Sequence, residues 1–194
     1  FAKNIKTVLE KNKLDGIDLD FEWAENEKEY KDYSLAILKM REVLGDKYLF
    51  SVSLHPVCYK ISKEAIEAVD FISLQCYGPS PVRFPIEKYC SDIQMVLEYG
   101  IPKEKLVAGV PFYGVTKDNS KKTEAYFNFV QNGLVTSPAQ NEVIYQGDTY
   151  VFDGQDNIRI KTRYAKEQKL KGMMSWDLAT DLPLSDSRSL LKTM

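Results

Sequence analysis

The sequence predicts an α/β chain in which a parallel sheet curls toward a (β/α) barrel. Three observations predict it. Apolar runs of strand length alternate with longer amphipathic stretches, the pattern of a parallel sheet with covering helices. Within the strands one face is apolar and the other turns polar toward the C-terminal end, whereas a flat doubly wound sheet, covered on both faces, prefers apolar residues on both. No repeat, low-complexity tract or linker splits the 194 residues.

Taken in order, residues 1–12 read as a helix and 14–22 (LDGIDLDFE) as the first strand. In that strand Ile17, Leu19 and Phe21 share one face, and Asp18, Asp20 and Glu22 the other. Residues 29–44 read as a helix with an apolar stripe of Leu35, Ile37, Leu38 and Met40. The strand at 48–55 sets Phe50, Val52 and Leu54 against Ser51, Ser53 and His55. A helix at 62–69 leads to a strand at 70–77, where Ile72, Leu74 and Cys76 oppose Ser73, Gln75 and Tyr77. A helix at 87–99 and a strand at 106–113 follow. Residues 114–160 interrupt the rhythm with a helix expected within Ser120–Asn132 and a hairpin over Glu142–Phe152, turning at Gln146-Gly147-Asp148. This is a small insertion, too short for an independent domain. A helix at 161–170 and a strand at 171–177 (KGMMSWD) complete the series.

A barrel of this kind runs to about 250 residues and eight strands. Five strands alone would leave two exposed edges. The opening Phe1-Ala2-Lys3-Asn4-Ile5 reads like the middle of a helix, so further chain upstream is expected. Residues 1–194 therefore read as one barrel domain, incomplete at its N-terminus, with 114–160 a loop and hairpin insertion.

Composition narrows the function. The chain has 26 basic and 28 acidic residues, 44% hydrophobic and 12% aromatic side chains, which excludes disorder. It carries no basic block of the kind that tracks a phosphate backbone, so no nucleic acid partner is expected. No apolar run approaches the ~18 to 20 residues of a membrane span. Cys58, Cys76 and Cys90 are odd in number and lack metal-ligand spacing, and they read as free thiols.

The segment Asp15-Gly16-Ile17-Asp18-Leu19-Asp20-Phe21-Glu22-Trp23 carries the most chemistry. Alternation lines up Asp18, Asp20 and Glu22 on one face, about 6 to 7 Å apart. Three acids facing a barrel interior repel one another and lose hydration, so shared protons and at least one raised pKa are expected. A raised carboxyl is what a general acid needs near neutral pH. A solvated acidic strand fits poorly with the interleaved Ile, Leu and Phe. A metal site lacks a histidine or second acidic cluster to complete it.

The spacing of Asp15, Asp18, Asp20 and Glu22 resembles the Asp-x-x-Asp-x-Asp-x-Glu signature of family 18 glycoside hydrolases, the chitinases and endo-β-N-acetylglucosaminidases. Three later segments resemble that family in order. Gln75-Cys76-Tyr77 is similar to its strand-six motif, Gly109-Val110-Pro111-Phe112-Tyr113-Gly114 to strand seven, and Gly172-Met173-Met174-Ser175-Trp176-Asp177 to strand eight. By that count the chain supplies strands four to eight of a (β/α)8 TIM barrel, with its insertion between strands seven and eight.

The resemblance implies a retaining, substrate-assisted hydrolysis, in which the substrate's own N-acetyl oxygen attacks the anomeric carbon to form an oxazolinium ion. Glu22 is then the acid and later the base. Asp20 orients the acetamide, Asp18 shares a proton with Asp20, and Tyr77 donates its hydroxyl to the acetamide oxygen. Trp176 stacks under the sugar. Gln75 contributes a hydrogen bond, Tyr113 is a further candidate at the site, and Asp15 has a structural role where the strand begins. His55, the only histidine, either lines the cleft or sits satisfied behind it. No metal or organic cofactor is expected. The partner is a polysaccharide or oligosaccharide containing N-acetylglucosamine: chitin oligomers first, N-glycan cores second, peptidoglycan-type glycans third. A carbohydrate-binding relative without catalysis is the rival, and the intact Glu22 argues against it. Family habit implies a secreted or cell-envelope location.

The chain departs from the family pattern in three places. Gly78 follows Tyr77 where many members have Asp or Asn, Val115 follows Gly114 where several have Arg, and the insertion is short. A shallower cleft favours internal cleavage of branched or protein-attached glycans over processive digestion of crystalline chitin.

Overall fold

A computed structural model describes residues 1–194. Helix α1 (Ala2–Asn12) precedes β1 (Gly16–Asp20), followed by α2 (Glu27–Leu44), β2 (Leu49–Leu54), α3 (Lys63–Ala68), β3 (Phe71–Leu74), α4 (Ile86–Tyr99) and β4 (Leu106–Pro111). The chain then builds β5 (Tyr113–Thr116), β6 (Thr123–Ala125), α5 (Tyr126–Gln131), β7 (Glu142–Tyr145) and β8 (Asp148–Val151). It ends with α6 (Gln155–Glu167), β9 (Gly172–Trp176) and α7 (Leu190–Thr193).

Five strands form a parallel sheet in the order β1-β2-β3-β4-β9, each joined to the next by a helical crossover, as parallel pairing requires. This is the α/β barrel architecture that the alternation predicts. Its helix-facing side is hydrocarbon: Phe50, Val52, Leu54, Ile72, Leu74, Cys76, Ala108 and Val110 are all buried. β1 and β2 approach closely because Gly16 has no side chain; a Cβ there would lie 2.1 Å from the Leu49 carbonyl oxygen. Past β1, Asn26 caps α2 by accepting from the Glu29 N–H, while Glu29 accepts from the Glu25 N–H. That reciprocal cap ties down the chain immediately after Glu22 and Trp23.

Segment 113–151 departs most from expectation. It forms a second sheet, antiparallel throughout, in the order β6-β5-β8-β7. The hairpin turns where the sequence places it, with Gln146 and Gly147 both at positive φ, as a two-residue turn demands. The helix expected within 120–132 shrinks to Tyr126–Gln131, because Thr123–Ala125 pair instead with Tyr113–Val115. Tyr113 likewise leaves the parallel sheet: Phe112, fully buried, hands the chain from β4 to β5. Helix α6 starts six residues before the expected 161. One cluster of 35 buried residues runs through both sheets, joining Ala108 and Val110 to Val115, Phe129 and Phe152. The two sheets therefore share a core.

Candidate active site

The polar side chains of β1, β2 and β3 gather at the C-terminal end of the sheet. Asp18 is held by two hydroxyls of β2, with Ser51 Oγ donating to Oδ1 at 2.5 Å and Ser53 Oγ to Oδ2 at 2.7 Å. Asp20 accepts from Gln75 Nε2 at 3.1 Å. Glu22 lies two residues past the end of β1, and Gln75 and Tyr77 lie just past β3, with the Gln75 N–H still bonded to the Leu54 carbonyl at 2.8 Å.

Burial of the acids differs from expectation. Asp18, Asp20 and Glu22 are all exposed. Within residues 1–194 β1 pairs with β2 alone, which leaves these carboxylates open on its other side. Repulsion still registers at Asp20, whose carboxyl is shielded on its sheet side. Its pKa is raised by that partial burial first, then by the charges of Glu22 and Asp18, against the Gln75 hydrogen bond. Both Asp18 oxygens accept from β2 hydroxyls, which fixes this carboxylate directly beneath Asp20.

Asp20, Glu22, Gln75, Tyr77, Tyr113 and Trp176 line one cleft of about 280 Å³. Trp176 ends β9 and is 54% exposed, so its indole is free to meet a ligand. Tyr77 is buried, its hydroxyl 3.6 Å from Met174 Sδ and its ring edge-on to Tyr113 at 6.4 Å. Burial, the Tyr113 hydroxyl and the charges of Asp20 and Glu22 push the Tyr77 phenol well above its ordinary range, so it remains a proton donor. Tyr113 shows the same rise from burial. Gly109 makes room for this ring: a Cβ would lie 2.8 Å from Tyr77 Cε1 and 2.8 Å from the Leu74 carbonyl oxygen.

Past Trp176, Tyr113 and Pro79 the cleft opens into a second chamber of about 330 Å³, bounded by Thr123 and Glu124 of β6 and by Asp177 and Thr180. The second sheet thus supplies one wall. Glu124 is set by Asn128 Nδ2 at 2.6 Å and by the Ala125 N–H at 2.9 Å.

Asp15 stands apart, exposed at the opposite end of β1, where its carbonyl accepts from the Leu49 N–H at 2.9 Å. His55 is both buried and in the cleft wall, resolving the alternatives left by the sequence. Trp23 and Pro79 also line the cleft, beyond the residues the sequence predicts for it. The signal for Trp23 was its place directly after Glu22; Pro79 carried none. No group of three or more His, Cys, Asp and Glu side chains is placed to hold a metal ion. No helix is long and apolar enough to cross a membrane.

The chain as a whole has counterparts among known proteins. The family model described as glycosyl hydrolases family 18 matches residues 1–181. "Probable chitinase 2" of Drosophila melanogaster is 23% identical over 245 aligned residues, covering 93% of this chain and 50% of its own. The class V chitinase of Arabidopsis thaliana is 23% identical, covering 86% of this chain and 58% of its own. Among solved structures, the GH18 chitinase ChiB of Flavobacterium johnsoniae superposes with a TM-score of 0.80 at 28% identity, covering 100% of this chain and 63% of that one. A chitinase from Bacteroides thetaiotaomicron gives 0.85 at 20% identity, covering 99% and 66%. The chitinase-like agglutinin of Robinia pseudoacacia gives 0.80 at 18% identity, covering 100% and 70%. The chain spans about half the length of "Probable chitinase 2".

Proposed function

Because the chain belongs to family 18 of the glycosyl hydrolases, we propose that it cleaves β-1,4 linkages next to N-acetylglucosamine, with retention of configuration and with the substrate's acetamide as the nucleophile. One observation carries the reading: acid, amide, phenol and indole from β1, the end of β3 and β9 converge on a single cleft.

Chemistry assigns the roles. The Glu22 carboxyl protonates the departing glycosidic oxygen as the acetamide oxygen closes on the anomeric carbon. The resulting carboxylate then takes a proton from the water that opens the oxazolinium ring, so the proton count returns to its start. Asp20, steadied by Gln75, accepts from the acetamido N–H and offsets the positive charge of the ring. Tyr77 turns its hydroxyl from Met174 to the acetamide oxygen. Trp176 stacks beneath the sugar, with Tyr113 behind it. Asp18 is a positioning residue, anchored on Ser51 and Ser53 beneath Asp20.

Chitin oligomers are the substrate class favoured by the relatives' names, with N-glycan cores second. The chamber bounded by Thr123 and Glu124 gives a second sugar a place beyond Trp176. Such polymers place the protein outside the cell or at its envelope.

The test is Glu22→Gln in the full-length protein, assayed on a fluorogenic N-acetylglucosamine oligomer. Loss of a general acid is expected to slow turnover by about 10²- to 10⁴-fold with oligomer binding kept. Undiminished turnover defeats the assignment. Binding without hydrolysis in the unsubstituted protein, across chitin oligomers, N-glycans and peptidoglycan, assigns it instead to sugar binding, as in a chitinase-like agglutinin.

A further inference from the structure

We propose that His55 is a positioning residue that locks the two halves of the site together, bonding the Tyr77 carbonyl with one ring nitrogen and packing its ring against the Trp23 indole. His55 sits at the end of β2, between the strands that carry Glu22 and Tyr77. Its Nε2 lies 3.0 Å from the Tyr77 carbonyl oxygen, and the Val57 N–H points at its Nδ1 from 3.2 Å. The Val57 donor makes Nδ1 the acceptor, so the proton sits on Nε2 and is given to Tyr77. On the other side the Trp23 ring packs against the imidazole, centroids 4.9 Å apart and tilted by 60°. The backbone is fixed too, by the Cys58 N–H bonded to the His55 carbonyl at 2.7 Å.

This clamp needs a neutral ring. An imidazolium would set a second N–H against that of Val57, donor against donor. The surroundings oppose protonation: burial first, then the positive charge of Arg83, with Lys88 acting the same way. The Tyr77 hydrogen bond and Asp92 pull the other way, and Asp92 is already paired with both Arg83, at 2.9 Å, and Lys88. Asp20 and Glu22, at and just past the end of β1, line the same cleft as His55.

The inference rests on the hydrolase reading for its activity readout and on none of it for its structural one. Two variants of the full-length protein separate them. Gln places an amide N–H near the position of Nε2; Asn reaches only the position of Nδ1. Expected on a fluorogenic N-acetylglucosamine oligomer is a fall in kcat of about 10- to 100-fold in His55→Asn with KM little changed. His55→Gln is expected to recover most of it near neutral pH and to lose the part of the acid fall-off due to imidazole protonation. In parallel, the Trp23 indole N–H resonance should titrate with His55 in the unsubstituted protein and not in His55→Gln. If turnover is present but both variants match the unsubstituted protein in kcat and pH profile, or Trp23 does not titrate with His55, the clamp is overturned. If turnover is absent while Trp23 follows His55, the clamp stands and the hydrolase reading falls.

Discussion

The Gln75 amide reaches past β2 to the Asp20 carboxylate, Nε2 to Oδ1 3.1 Å, linking the ends of two strands that are not neighbours in the sheet. The span is open because β2 presents the small Ser51 and Ser53 beneath it, and these turn to Asp18. Asp20 thus has one fixed donor and two negative neighbours, and beyond the partial burial that raises its pKa most, the balance of these three tunes it.

That balance can be moved in both directions. Glu22→Gln removes a charge that raises the Asp20 pKa, so the value should fall. Gln75→Leu removes the hydrogen bond that lowers it, so the value should rise. A carbon-13 titration of the Asp20 carboxyl reads both. Equal shifts in one direction would refute the account.

Gly109→Ala should damage the site more than the fold would suggest. The new methyl group meets the Leu74 carbonyl oxygen and Tyr77 Cε1, both at 2.8 Å, and Met174 Cε at 3.1 Å. Backbone cannot yield, so the Tyr77 ring must. Overpacking of this kind costs about 1 to 3 kcal/mol. Denaturant unfolding together with an assay should find the remaining folded protein at least about tenfold slower, a displacement effect.

Lys161 and Asp153 form a fully buried pair at 2.5 Å, and Lys161 also donates to the Phe84 carbonyl at 3.0 Å and lies over the Tyr89 ring. Lys161→Met strands a buried carboxylate and should cost about 3 to 5 kcal/mol in urea unfolding. The double replacement Asp153→Leu with Lys161→Met leaves no stranded charge and should recover part of the loss. A single variant as stable as the parent would contradict the pairing.

Stability should also depend on pH through His55. Its folded-state pKa lies below the ordinary 6.5, so the unfolded chain binds more protons in the interval between the two values. The contribution is therefore present above the ordinary value and is lost as pH falls through the folded one. His55→Gln should flatten that segment of a stability-versus-pH curve measured by denaturant titration, and an unchanged slope would assign it to other groups.

The sequence made the parallel strands and their parity legible, because Phe50-Val52-Leu54 against Ser51-Ser53-His55 alternates with a period that only a strand explains. It also brought Asp20, Glu22, Gln75, Tyr77, Tyr113 and Trp176 into view, all of which line the cleft. What escaped it depends on contacts between distant segments. Thr123–Ala125 reads as part of a helix until Tyr113–Val115 offers it a partner. Trp23 becomes a wall residue only when His55 arrives from β2.

Parity along β1 has a price in evolutionary freedom. Insert or delete one residue between the close approach at Gly16 and the hydroxyl grip on Asp18, and every carboxylate beyond it swings to the hydrocarbon side while Leu19 turns into the cleft. A two-residue slip keeps the faces but carries Glu22 about 7 Å along the strand, away from the cleft it shares with Trp176. In the few residues leading from Gly16 to Glu22, counting is chemistry.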